Sequence, residues 1–130
     1  MIRIIAAVAA ALTLTACGGS PEPLTVATAP TDGDIGPAAE EWCDDNYPII
    51  ERPDDEGAHG QCEWGYVSGA YEAVEASIEF GVTSFDADSE EPCLTNACMI
   101  AREEFHSWEY VDGYVAGLTY VEEWIDAPDA

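Results

Sequence analysis

The chain has 130 residues, and 27 acidic side chains against three basic ones give it a formal net charge of −24. This charge argues against nucleic acid and anionic lipid head groups as ligands, because both are bound mainly through Lys and Arg. Three Phe, four Trp and six Tyr supply the apolar area of a folded core. Length and composition therefore indicate one small globular domain rather than a disordered chain.

The first sixteen residues have the organisation of a bacterial secretion signal. Met1-Ile2-Arg3 is positively charged, and the apolar stretch from Ile4 to Leu14 has the roughly 7–15 residues of a signal rather than the ~20 that span a bilayer. An uncleaved membrane anchor is one alternative, but no cationic segment follows Cys17. A signal that leaves Cys17 as an ordinary thiol is the other, and it would need a small residue where Leu14 stands.

The segment Leu14-Thr15-Ala16-Cys17 resembles the lipobox of bacterial prolipoproteins. The resemblance implies cleavage between Ala16 and Cys17 and a diacylglycerol on the sulfur of Cys17. It therefore implies a protein held in membrane lipid through acylated Cys17, facing away from the cytoplasm. Removal of residues 1–16 would leave 114 residues whose two arginines stand against 27 acids, a side-chain charge of −25.

The rest of the chain divides into a linker, a domain and a short tail. The linker, 17–36, begins with the lipidated Cys and contains four Gly, three Pro and no aromatic residue, so we expect a flexible spacer. Within it, only Leu24 to Val26 has the apolar character to contact the domain. The domain is expected at 37–126 and the tail at 127–130.

The domain is predicted to be all-α, with three helices and two disulfides. A short first helix runs from Pro37 to about Asn46, because Pro is favoured in a first helical turn, and the charged segment 51–60 follows it as a loop. The second helix spans about 62–80. Its predicted buried stripe has helical spacing and consists of Val67, Tyr71, Val74 and Ile78.

The third predicted helix follows an acidic loop. It begins near Thr95 or Asn96 and runs to Ile125, with a break near His106–Ser107 left open. Its apolar residues also recur at helical spacing.

Four cysteines remain after Cys17, namely Cys43, Cys62, Cys93 and Cys98. Outside the cytoplasm an even number of cysteines predicts disulfides, and four cysteines allow three pairings. We favour the most local pairing, Cys43–Cys62 with Cys93–Cys98, each bond contributing about 2–4 kcal/mol to stability. A metal site is the weaker interpretation, because the sequence has no C-x-x-C pair.

The second and third helices share a signature. Gly65 to Gly69 and Gly113 to Gly117 both read G-Y-V-small-G. Each glycine inside a helix costs about 1 kcal/mol relative to alanine, so four of them need a compensating role. Close packing between two helices of this chain is the favoured role, and a face for a ligand or partner helix is the alternative.

Cys62 followed by Gly65-Tyr66-Val67-x-Gly69 resembles the C-x-G-Y-hydrophobic-x-G start of small periplasmic immunity proteins that neutralise amidase toxins. About ten residues carry the resemblance, and this chain has one residue more after the Cys. The resemblance implies a small helical, disulfide-bonded inhibitor that acts by binding.

We find no catalytic motif and predict a non-enzymatic protein without a cofactor. Glu103-x-x-His106 has the spacing of one half of a di-iron site in a helical bundle, but the one other pair of this spacing, Glu56-x-x-His59, sits among Pro and Gly, where we expect a loop. The expected function is a membrane-anchored acidic binding or immunity-type module. Its charge could attract a basic protein partner, but we favour the simpler explanation that the acidity keeps the protein soluble. A structural envelope lipoprotein is the alternative, followed by a metal-dependent enzyme or a cation-binding protein.

Overall fold

The computed structural model of the chain describes residues 21–49, 53–89, 92–104 and 107–127. The predicted signal peptide, Cys17 and the lipobox lie outside these residues. The described part contains four helices and no strand: α1 Asp32–Asn46, α2 Pro53–Phe80, α3 Asn96–Glu103 and α4 Trp108–Asp126. The prediction of a small all-α domain is confirmed. Among the described residues, no helix combines the length and the apolar character that a membrane span requires.

The centre of the domain is the pair α2 and α4, which run parallel and touch backbone to backbone. A Cβ atom added at Gly65 would lie 2.0 Å from the carbonyl oxygen of Tyr110, and one added at Gly117 would lie 2.2 Å from that of Tyr66. Gly69 and Gly113 approach the opposite helix in the same way, at 2.2 and 2.1 Å. Only glycine allows this approach, and one Cα–H of each glycine points at a carbonyl oxygen.

The buried face of α2 is rotated by about one residue from the predicted stripe. Tyr71 and Ile78 of that stripe are 41% and 37% exposed. The positions that face the core are small or lie next to a glycine, namely Cys62, Tyr66, Ala70, Ala73 and Ser77. The predicted stripe was wrong because it followed the larger apolar residues. The close approach of the two helices instead requires small residues on the buried face of α2.

Helix α1 lies antiparallel to α2 and is tied to it at both ends. Cys43, near the end of α1, is bonded to Cys62 with a Cα–Cα distance of 5.9 Å. At the opposite end, the Tyr71 hydroxyl donates to Asp32. The predicted start at Pro37 was wrong, because Asp34 accepts from the backbone N–H and the hydroxyl of Thr31 at 2.8 and 2.9 Å and so caps a helix that begins at Asp32.

The segment before α1 belongs to the domain, so the linker predicted for 17–36 was too long. Leu24 is buried, and its N–H donates to the buried hydroxyl of Ser77 at 2.9 Å. The Trp124 indole donates to the carbonyl oxygen of Thr28 at 2.9 Å. The sequence analysis allowed a contact between the domain and the segment Leu24 to Val26. Leu24 makes such a contact, and the segment lies against the ends of α2 and α4.

Helix α2 begins at Pro53, so the charged loop predicted at 51–60 is helical over 53–60. Proline at the first position of a helix gives up an N–H that would have no partner there. The first turns also pack, because His59 is buried and its Nε2 lies 2.7 Å from Asp44 of α1.

The third predicted helix is divided into α3 and α4, which leaves a break between Glu103 and Trp108. Helix α3 packs on the side of the central pair away from α1. Its entry is fixed by the Cys93–Cys98 disulfide and by the N–H of Leu94, which donates to the Tyr114 hydroxyl at 3.0 Å. Both disulfides therefore have the local pairing that the sequence favoured.

Candidate functional site

The four signature glycines do not face solvent or a cavity. Each is covered by the backbone of the opposite helix, so Gly65, Gly69, Gly113 and Gly117 hold α2 and α4 together within this chain. The four disulfide cysteines are likewise structural, and three of them, Cys43, Cys62 and Cys98, are fully buried. The glycines and cysteines are therefore structural, and the cavities of interest lie where α1 and α3 meet the central pair α2 and α4.

The cavity with the most aromatic lining lies between α1 and α4, and α2 contributes one residue to it. It is an open groove of about 580 Å³. Helix α1 contributes Trp42, α2 contributes Tyr66, and α4 contributes Tyr120 together with the carboxylates of Asp112 and Glu123. We call this cavity the aromatic–acidic groove.

The aromatic rings of the groove form a continuous row. The ring of Tyr66 lies 6.2 Å from that of Trp42 and 6.0 Å from that of Tyr120, measured between centroids. The row continues beyond the groove, because Tyr120 is 6.0 Å from Trp124, which does not line it. The rings are tilted at 44–51° to one another, so they form walls rather than a closed stack.

The hydroxyl of Tyr66 is the unusual polar group of this groove. Tyr66 is 4% exposed, yet its hydroxyl has no hydrogen-bond partner among the residues that the structure describes. Burial raises the pKa of Tyr66, and Tyr120, Glu123 and Glu41, which would repel a phenolate, raise it further, so the phenol stays neutral. A buried donor and acceptor without a partner is costly, so this group requires an explanation.

The carboxylates of the groove are not neutralised by basic side chains. Asp112 accepts a hydrogen bond from the Tyr47 hydroxyl, and Glu123 is exposed. Burial, followed by the interaction with Asp112, raises the pKa of Tyr47 and keeps it a neutral donor. Arg102 is the only Arg or Lys in the described part of the chain, and it lies on α3, across the central pair.

A second cavity, of about 680 Å³, lies between α3 and the start of α4. Its lining is mainly apolar, and Trp64, which is 62% exposed, packs edge-on against Tyr110 with a centroid distance of 5.3 Å. A single carboxylate, that of Glu109, reaches it.

The titratable cluster at His59 is explained by packing. Its Nε2 faces Asp44 at 2.7 Å, and its Nδ1 lies 3.6 Å from Glu63 one turn later in α2. Within the described ranges, no three side chains of His, Cys, Asp or Glu are grouped as a metal ion would require. His106, the second half of the Glu103-x-x-His106 pair, lies outside those ranges.

Comparison of the chain with protein-family models, with curated proteins and with solved structures found no match.

None of the groove residues was predicted from the sequence to be a site residue. One signal was present, because Asp112, Ala116, Thr119 and Glu123 recur at the spacing of one face of α4. The opposite wall carried no such signal, since Trp42 reaches the groove only when Cys43 is bonded to Cys62 and α1 lies along the central pair.

Proposed function

We propose that this protein is a lipid-anchored binding protein outside the cytoplasm, whose acidic helical domain binds a basic protein. It acts without catalysis and without a cofactor. An immunity or exclusion role, in which the partner is a basic toxin or an incoming phage protein, fits this activity. The anchor is acylated Cys17, and residues 1–16 are removed as the signal.

The observation that carries the proposal is the unpaired acidic surface. In the part of the chain that the structure describes, ion pairs involve only His59, with Asp44 and Glu63. No carboxylate in the described ranges forms an ion pair with Lys or Arg, since the chain has no Lys and Arg102, the one Arg in those ranges, is in neither ion pair. A field of this kind raises the association rate of a positively charged protein and falls off as salt screens it.

The aromatic–acidic groove supports binding rather than charge alone. A structural envelope lipoprotein would need the anchor and the acidic surface, but it would not need a groove with tilted aromatic walls and an unpartnered hydroxyl. Protein interfaces concentrate their binding free energy in such pockets, where Trp, Tyr and Arg are the residues most often buried.

The anchor is tested by the intact mass of the protein isolated from its own membranes. We expect a chain that begins at Cys17 and carries the added mass of a diacylglycerol. The Cys17→Ser variant should stay unprocessed or leave the membrane fraction. A native chain that retains residues 1–16 would contradict the proposal, as would a membrane fraction unchanged by the substitution.

The binding role is tested by using the full-length protein as bait to capture proteins from the medium in which the producing cells grow. We expect a basic protein whose affinity, remeasured after purification, falls at least about ten-fold between about 0.05 M and about 0.5 M salt. A deletion strain should become sensitive to that protein. A partner whose affinity ignores salt, or a deletion strain with unchanged survival, would argue against it.

A further inference from the structure

We propose that the aromatic–acidic groove binds a guanidinium group, supplied by an arginine side chain of the basic partner. The source of the arginine rests on the proposed function, whereas the chemistry of the groove does not. Three properties of the groove lead to this assignment.

The first property is the unpartnered hydroxyl of Tyr66. The side chain is 96% buried, since it is 4% exposed, and its oxygen has no donor among the described residues. A ligand that brings N–H donors into the groove would satisfy this oxygen. Guanidinium has five N–H donors and no acceptor, so it fits a lining that offers acceptors.

The second property is the set of rings next to Tyr66. The rings of Trp42 and Tyr120 have centroids at 6.2 and 6.0 Å from the Tyr66 ring. A cation within about 6 Å of such a ring is attracted to its face, and a planar guanidinium also stacks on it. An ammonium group is more strongly hydrated and cannot stack, so lysine fits this lining less well.

The third property is the charge of the lining. Asp112 and Glu123 lie three turns apart on α4 and face the groove, and neither has a Lys or Arg beside it in the described part of the chain. The second cavity, which is lined by Trp64, is a useful comparison because its volume of about 680 Å³ is similar to the 580 Å³ of the groove. Its walls are mainly apolar and it has one carboxylate, so it offers a guanidinium group less negative charge than the aromatic–acidic groove does.

The experiment uses the protein as it is isolated from the membranes of its cell, in detergent micelles and labelled with 5-fluorotryptophan. Four tryptophans give four fluorine signals, and substitution of each Trp by Phe assigns them. The probe is N-acetyl-arginine methylamide, which carries a single positive charge and so avoids the general attraction of a polycation to this protein. The citrulline analogue, of nearly the same shape without the charge, is the matched control, and the lysine analogue tests the choice of guanidinium.

We expect the arginine probe to shift the signal of Trp42 saturably while the signals of Trp64 and Trp108 stay in place. Citrulline should cause no shift, and the lysine analogue should bind more weakly. Tyr66→Phe should weaken the arginine probe about five-fold, the value of one lost hydrogen bond. Glu123→Gln should weaken it about two- to five-fold, whereas Glu75→Gln, on the exposed face of α2, should leave it unchanged.

The proposal is overturned if the arginine probe leaves Trp42 unshifted, if citrulline shifts it equally, or if Tyr66→Phe binds the probe as the native protein does. The last result would mean that water already satisfies the hydroxyl. Unchanged Trp64 and Trp108 signals in each variant show that it is folded, so a loss of binding cannot be a loss of structure.

The partner separates this proposal from the proposed function. A basic partner that binds in a salt-dependent way, but equally well to Tyr66→Phe and Glu123→Gln, overturns the groove and leaves the proposed function standing. If no basic partner exists, while the arginine probe binds and responds to both variants, the proposed function fails and the guanidinium site stands.

Discussion

The two flanks of the central helix pair carry equivalent tyrosines in different surroundings. Tyr66 and Tyr114 follow the first glycine of the two G-Y-V-small-G segments, and both are buried. The Tyr114 hydroxyl donates to Glu72 and accepts from the N–H of Leu94, whereas the Tyr66 hydroxyl has no partner within the described part. The glycine contacts are equivalent in the two helices. The two hydroxyls therefore differ in their hydrogen bonds because different parts of the chain lie against each flank.

On the Tyr114 flank, the loop closed by Cys93–Cys98 fills the space and supplies the N–H of Leu94. Thr95 also donates to Glu72, at 3.2 Å. On the Tyr66 flank, Tyr120 occupies the place that corresponds to Glu72, six residues after the tyrosine of its own segment. Among the described residues, one flank is therefore filled by the chain itself, and the other contains an open groove.

The shared element of the comparison is the glycine contact, and breaking it should have the largest effect. Gly69→Ala would place a Cβ 2.2 Å from the carbonyl oxygen of Tyr114, so α2 and α4 would have to separate. We expect a loss of about 3 kcal/mol or more in the free energy of unfolding, measured by urea denaturation, because both clashing atoms belong to rigid helices.

Gly60→Ala is the matched control for that prediction. Gly60 lies in α2, and a Cβ atom there would meet nothing within 4 Å. Alanine should therefore stabilise the helix by up to about 1 kcal/mol. Equal effects of the two substitutions would refute the account of the central pair.

Much of the fold was accessible from the sequence, and particular residues show where the prediction failed. The helical class could be predicted because the apolar residues recur at helical spacing, whereas the disulfide pairing was only the most local of the three that four cysteines allow. The phase of α2 could not, since Ala70, Ala73 and Ser77 become the core only when glycines bring α4 close. The groove could not be predicted either, because its walls come from segments that are distant in the sequence.

The wall of the open flank is held by the Cys43–Cys62 bond, and its loss should have the next largest effect. With a sequence separation of 19 against 5, the entropy of loop closure predicts a loss of about 3 kcal/mol for Cys43→Ala with Cys62→Ala, and about 2 kcal/mol for Cys93→Ala with Cys98→Ala. Urea denaturation of the two double variants measures this order. A larger loss for the 93–98 variant would contradict it.

The smallest expected effect concerns the start of α1, which sets the position of that wall. Hydrogen bonds from Thr31 hold the pKa of Asp34 below its usual 3.8. A carboxyl with a lowered folded pKa stabilises the fold above its unfolded pKa, and the contribution is lost as the pH falls through the folded value. Asp34→Ala should therefore destabilise the protein at neutral pH, and the difference from the native protein should disappear in acid.

Denaturation at neutral and acid pH measures this prediction. Asp45→Ala, at the other end of α1, is the control and should not be destabilising, because an acidic group is unfavourable near a helix C-terminus. A difference for Asp34→Ala that persists in acid would mean that the carboxylate is not responsible.

The most direct test of the difference between the flanks is the free energy of unfolding of Tyr66→Phe and Tyr114→Phe, compared under the same conditions without ligand. Tyr114→Phe should lose about 1–3 kcal/mol, because Glu72 and the N–H of Leu94 each lose a partner in a partly buried site. Tyr66→Phe should lose no stability and should gain up to about 1–3 kcal/mol, because it removes a buried hydroxyl that has no partner among the described residues. Equal losses would mean that the Tyr66 hydroxyl is already satisfied, and the open flank would not be waiting for a ligand.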